Sequence, residues 1–318
     1  MHEFTLREAR DIRDPELARQ ASLVDKIAGQ SSEPAPVLQR PARVASAAGS
    51  IYVTDIRANL VHVFDIPRHR YYTFGYRFEG KLAKPIGIAL DGQRNVYVAD
   101  QAQGRVVVYD RYGLYLHSIG DDHQFDRLTG VAVAAAGDRI YAVDTGGISS
   151  MKHEIVVFDG NGTLLRTIGR RGSGEVEFNM PTDILVAPHG DLVVLDAGNF
   201  RIQILDRDGR FIREWGEVGD GLGQLARPRG LAMDPDGLIY VSDSFFSNIQ
   251  VYTPEGRLLL PMGEHSLDVG AGHYALIAGL AVDETSRLYV LDQFFKKIEV
   301  IRKLPLSEGR AIVDSQAR

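Results

Sequence analysis

The chain has 318 residues, a formal net charge of −6 with its lysines and arginines scattered, and no cysteine. Disulfides, thiolate catalysis, Cys-based zinc sites and haem attachment within the chain are thereby excluded, and the missing basic cluster argues against a nucleic-acid binder. A hydrophobic fraction of 44% suffices for a core in which each buried Val, Leu or Ile contributes roughly 1.5–3 kcal/mol, while no run of 18 apolar residues marks a membrane span.

In chain order, Glu3-Phe4-Thr5-Leu6-Arg7 reads as a strand. Asp14 to Gly29 reads as one helix, with Asp14 as N-cap, Pro15 at the first position and Gly29 as stop; Leu17, Ala21, Val24 and Ala28 share the face that packs on the rest. Residues 31–36, Ser-Ser-Glu-Pro-Ala-Pro, form an extended connector. Then one pattern is written six times up to residue 304: a Pro-x-Gly-like start, an apolar triplet, a polar gap, an apolar run ending in Asp, and an alternating run. The clearest copy is PIGIAL (85–90), NVYVAD (95–100), RVVVYD (105–110) and LYLHSIG (114–120). The strand-ending residues Asp55, Asp100, Asp144, Asp196, Asp243 and Asp292 are 45, 44, 52, 47 and 49 residues apart, a period that specifies a repeat architecture.

Each unit holds four short apolar runs separated by turn residues, so one unit is a four-stranded antiparallel sheet. The first run is nearly all apolar and the third alternates. An inner strand without a solvated face and outer strands with one are expected, the sheets stacking radially around a channel. The prediction is an all-β, six-bladed β-propeller. Its sixth unit stops after Lys297-Ile298-Glu299-Val300-Ile301 without a fourth strand; the N-terminal strand should supply it, because an open blade edge exposes unpaired backbone groups. The expected organisation is a closing strand (1–13), helix and linker (14–36), propeller (37–304) and polar tail (305–318).

The P-x-G-[IL]-A start, the apolar run ending in Asp, the V-x-V-[FY]-D strand and the closing I-G or W-G resemble the NHL-repeat family of propellers. RTIGRRGSGEVEFNMPTDILV (166–186) is similar to the linker between NHL units. The resemblance covers about 41–304 and implies the fold, not an activity. SLVDKIAG (22–29) also resembles exported bacterial NHL proteins, some encoded beside multihaem cytochromes; a multihaem cytochrome or a cell-surface assembly is the partner this implies. MHEFTLREAR lacks the apolar core of a signal peptide, so the setting is extracytoplasmic if a signal was removed ahead of Met1 and cytoplasmic otherwise.

The six aspartates suit a structural role, since each ends a strand before a tight turn whose N–H groups its carboxylate can accept. Function is therefore sought where the copies differ. At the Gly of P-x-G the units read Arg43, Gly87, Gly130, Asp183, Gly230 and Gly279, which puts Arg43 and Asp183 on opposite sides of the channel mouth. Lys84, Arg127, Arg227 and Arg229 stand beside them; the set reads as solvated loop residues or as an anion-binding or partner-docking mouth. The stretch from Asp144 to Asp159 is longer than its equivalents, making a loop at 145–154 in which Met151, Lys152, His153 and Glu154 are either a tolerated insertion or contacts to a bound partner. Phe200, Phe245, Phe246, Phe294 and Phe295 occupy turns of blades four to six and either wedge between blades or form a partner patch.

Zinc-dependent amidating lyases of this fold hold their metal through His after the mouth Pro, where this chain has Ala42, Ile86, Thr129, Thr182, Arg229 and Ala278. Gluconolactonase-like propellers need a Glu, an Asn and an Asp on a divalent cation, and Asp183 alone is well placed. His123, His153, His265 and His273 lie in loops without paired ligand spacing. The leading expectation is a non-enzymatic scaffold that presents its mouth face to a protein partner, without cofactor. The alternatives are a metal-assisted hydrolase or lyase using Asp183, a loop His and a divalent cation, and a small-anion binder.

Overall fold

The structure is a computed structural model that describes residues 1–7, 11, 37–121, 124–304 and 307–308. Six four-stranded antiparallel sheets are present, as expected. Blade one consists of Pro41–Ala47, Ser50–Asp55, Leu60–Asp65 and Arg70–Phe74, and the other blades repeat this order. The first strands, beginning at Pro41, Pro85, Leu128, Pro181, Pro228 and Ile277, touch one another in cyclic order and enclose the channel. In blade six the strands run Ile277–Val282, Arg287–Asp292 and Lys297–Arg302, and the fourth place is taken by His2–Leu6, with Leu6 opposite Ile298 and His2 opposite Ile301. The N-terminal strand thus closes the ring. The expected helix at 14–29 and His123 lie outside the described residues, as does most of the tail from 305 onward. Among the described residues no helix is long and apolar enough to cross a membrane.

The glycines of the Pro-x-Gly starts have a steric cause. A Cβ on Gly87 would stand 2.9 Å from Thr129 O in the next blade, and one on Gly279 would meet Arg43 Cα at 3.2 Å. First strands this close leave no room for a side chain directed at the neighbour.

Burial differs from the sequence expectation in one respect. The second strands are buried along nearly their whole length, as in Ser50–Asp55 and Leu192–Asp196, whereas most first strands have half-exposed positions, as in Pro85–Leu90, although Leu128–Val133 is buried throughout. The inner strand borders the channel, while the second is covered by sheet neighbours in its plane and by adjoining blades on both faces. Six apolar clusters result, one in each gap between blades. Val53, Phe64, Leu291 and Ile298 fill the gap between blades one and six, and Val61, Phe74, Val98 and Tyr109 the gap between one and two.

All six repeated aspartates are fully buried. Each clamps backbone, and all but Asp196 hold two loops at once. Asp100 accepts the Ala83 and Lys84 N–H groups of the linker entering its blade and those of Ala102 and Gln103 in the turn that follows it; Asp55 does the same with Gln39, Arg40, Arg57 and Ala58. These turns, the linkers and the insertion at 145–154 therefore share one face of the disc.

Candidate functional site

The P-x-G positions surround the channel mouth on that face, and the structure brings Arg43 and Asp183 together there. Four of the six copies have Gly, so the two long side chains enter a space their neighbours leave open. Arg43 Nη1 donates to Ala278 O (2.7 Å) and Ala42 O (3.2 Å), and Nη2 to Arg229 O (2.8 Å) and Thr182 O (3.3 Å). Its Nε lies 3.7 Å from Asp183 Oδ2, each side chain being 14% exposed. One guanidinium thus ties carbonyls of blades one, four, five and six and closes the channel. Asp183 accepts N–H groups from Leu231 (2.9 Å) and Ile184 (3.1 Å). Burial still pushes its carboxyl above the usual range, with Arg43 offsetting only part of the effect. Beyond the plug the lumen is a well of about 240 Å³ with walls such as Leu90, Val133 and Met233, open toward the opposite face.

Lys84, Arg127, Arg227 and Arg229 are exposed around this floor. The backbone N–H groups of Lys84, Arg127 and Arg227 are held by Asp100, Asp144 and Asp243, which leaves their side chains on the rim. Arg40 occupies the same place in blade one, with its N–H on Asp55. Arg229 is exposed as a residue but its guanidinium is partly sheltered, its Nε donating to Ser244 Oγ at 3.4 Å, and that shelter, followed by the charges of Arg43 and Arg227, lowers its pKa.

The insertion is a braced platform. His153 is buried: its Nδ1 accepts Met180 N–H at 3.0 Å, leaving the proton on Nε2, which faces Gly147 O at 3.4 Å. Lys152 pairs with Asp126 at 3.3 Å, and Ser150 Oγ also bonds that carboxylate. Arg171 donates to Ile148 O at 2.7 Å. Glu154 opposes Asp144 across the strands, where burial and then the Asp144 charge raise its pKa. What the platform presents is Met151, 65% exposed, and Ile148, 89% exposed. Ile148 was missed by reasoning from charged and ligating residue types; an aliphatic residue among glycines and serines in a long loop was the available signal.

The five phenylalanines divide. Phe295 is buried, and Phe246 lies edge-on to Phe245 at 5.2 Å. Phe200, in left-handed backbone (φ 57), packs against the gap between blades four and five. Phe245 and Phe294 point outward, 63% and 57% exposed, at equivalent turn positions of adjacent blades, each edge-on to the inner ring of its pair.

Two further features were not read from sequence. His62 is buried in blade one between Tyr71, whose hydroxyl is 2.7 Å from Nδ1, and Asp55, 3.5 Å from Nε2. The equivalent strand position is Gln203, Gln250 and Glu299 in blades four to six, where it binds the entering linker: Gln203 accepts Val176 N–H, Gln250 accepts Gly223 N–H and Glu299 accepts Gly272 N–H. A groove of about 1030 Å³ between blades one and two is lined by Phe74, Tyr76, Phe78, Tyr112 and Leu114. Among the described residues, no three His, Asp or Glu side chains gather in a way that could hold a metal ion.

A family model described as "NHL repeat" matches residues 178–205 and 225–252. Among solved structures, a chain of the Kuenenia stuttgartiensis hydrazine synthase superposes with a TM-score of 0.60 at 14% identity, covering 86% of this chain and 98% of that one. A streptogramin B lyase gives 0.60 at 13% identity, covering 82% and 92%. A catalytically inactive virginiamycin B lyase from Staphylococcus aureus with quinupristin gives 0.57 at 15%, covering 80% and 78%. These likenesses concern the fold, which is shared by proteins of different activity.

Proposed function

We propose that this chain, an NHL-repeat six-bladed propeller, works by binding, and that it docks a partner protein on the channel-mouth face. The observation that carries the reading is the pair Phe245 and Phe294: two rings at equivalent turn positions of neighbouring blades, each edge-on to an inner aromatic and exposed to water. A large apolar ring in water costs free energy that burial against a partner recovers, and aromatics with little freedom to lose are favoured anchors. Met151 and Ile148 add to the same face across the channel.

Arg43 weighs against a catalytic mouth, because its guanidinium and the two N–H donors on Asp183 occupy the centre where a lyase or lactonase of this fold would hold a cation. A metal-assisted reaction would also need ligands that the described residues do not gather. The resemblance of 22–29 to exported NHL proteins favours an extracytoplasmic assembly, with a multihaem cytochrome or another cell-surface subunit as the partner.

The test is recovery of the partner from the source cells on immobilised protein, comparing the natural chain with Phe245→Ala/Phe294→Ala. We expect one protein to be retained by the first and lost from the second while the melting temperature is unchanged. Equal recovery on both would refute the reading.

A further inference from the structure

Charge at the channel rim runs against charge on the whole chain. The molecule carries −6, yet the residue that enters the first strand is Arg40, Lys84, Arg127 and Arg227 in blades one, two, three and five, with Met180 and Leu276 in the other two. Arg229 adds a fifth exposed cation. No Asp or Glu occupies this position, or that of Arg229, in any blade. None of the five cations is in an ion pair within 4.0 Å among the described residues. Some cations elsewhere are in ion pairs, as Arg166 with Asp208, Arg170 with Glu177, Arg201 with Asp196 and Arg287 with Glu3, and others are not; what sets the rim apart is the gathering of five cations around one opening.

The ring has a solid floor. Arg43 closes the channel beneath it, so a ligand rests on the mouth instead of threading it. The surround is apolar: Phe245 and Phe294 beside blades five and six, Ile148 and Met151 beside blade three. Like charges held together without counter-charge raise the local potential and attract an anionic ligand.

We propose that the mouth receives an acidic segment of the partner protein, whose carboxylates sit over Lys84, Arg127, Arg227 and Arg229 and whose flanking apolar side chains lie on Phe245, Phe294, Ile148 and Met151. This rests on the docking reading given above and specifies its chemistry. A peptide suits the site better than a nucleic acid: the cations form a short ring and not a track along which a phosphate backbone could run, and the aliphatic Ile148 and Met151 match apolar side chains better than sugars and phosphates.

The experiment uses three probes with the full chain: a synthetic peptide of mixed Glu and Leu, the same peptide with every Glu replaced by Gln, and a single-stranded RNA of similar length, each titrated at low and at about 0.5 M salt, where screening shortens the reach of exposed charges to a few ångströms. The Glu peptide is expected to bind at least tenfold more tightly than the Gln peptide and to weaken with salt. The variant Lys84→Glu/Arg127→Glu/Arg227→Glu, whose side chains are outside the buried network, should lose that preference with an unchanged melting temperature. Phe245→Ala/Phe294→Ala should weaken both peptides alike and keep the salt dependence. Absence of Glu-peptide binding, equal binding of the Gln peptide, or tighter binding of the RNA overturns the inference. If the charge preference is absent but Phe245→Ala/Phe294→Ala still loses the cellular partner, the docking face stands and only its acidic ligand falls.

Discussion

Arg43 and Arg227 lie within a few residues of the same repeat position and end in opposite circumstances. The guanidinium of Arg43 meets four backbone carbonyls and a sheltered carboxylate; that of Arg227 stands in water without an ion pair among the described residues. The turn phenylalanines repeat the division, Phe295 buried in the last blade and Phe294 directed outward. Residue type therefore does not separate structure from function on this face. Accounting for each polar group and each ring does: a side chain whose donors or surface are satisfied within the molecule is part of the ring, and one left unsatisfied at a repeated position is open to a partner.

Deleting the floor should have the largest effect. Arg43→Ala leaves Asp183 sheltered without its counter-charge and is expected to lower the unfolding free energy by about 3–5 kcal/mol, read from the urea midpoint. Arg43→Ala/Asp183→Asn should recover part of that loss, because the orphaned charge goes with it. Next come the paired rings: Phe295→Ala should cost about 3 kcal/mol through the cavity it leaves, and Phe294→Ala no more than about 0.5 kcal/mol, so equal values would dissolve the contrast between buried and exposed rings.

Acid tests the comparison without mutation. Asp55 is buried, which by itself would raise its pKa, but His62 and the N–H groups of Ala58, Gln39 and Arg40 outweigh burial and hold it at about 2, against an ordinary 3.8. With the folded pKa depressed, its contribution is complete above about pH 4 and is lost as the pH falls toward 2; the shift corresponds to about 2 kcal/mol. Asp183 has the opposite sign: its folded pKa is raised, so its ionised form costs stability at neutral pH and protonation relieves that cost as the pH falls. Asp55→Asn should flatten the loss between pH 4 and 2 in urea titrations, and Asp183→Asn should not. The smallest effect belongs to the rim, where Arg127→Ala/Arg227→Ala should leave the midpoint within about 0.5 kcal/mol.

The architecture was legible because a ring of blades needs the same solution six times. The aspartates repeat for the loops they clamp, the glycines for the space at the axis, and the missing strand after Ile301 pointed to Phe4 and Leu6. The plug was not legible: repeat positions place Arg43 opposite Asp183, but only the reach of an arginine across a narrow channel turns opposition into contact. Nor could adjacent phenylalanines in one turn be sorted, since the backbone of the turn decides which ring faces inward. His62 went unnoticed because its role is visible only when its slot is compared with Gln203, Gln250 and Glu299.

The strand pairing that completes blade six also has a mechanical side. His2 lies opposite Ile301 and Leu6 opposite Ile298, so the chain leaves the pair in both directions from one end of the same seam. Tension applied at those two exits would load the hydrogen bonds singly, like a zipper, instead of sharing the force among them as in shear. A pull across this seam would therefore test the ring where strands from the two ends of the sequence meet.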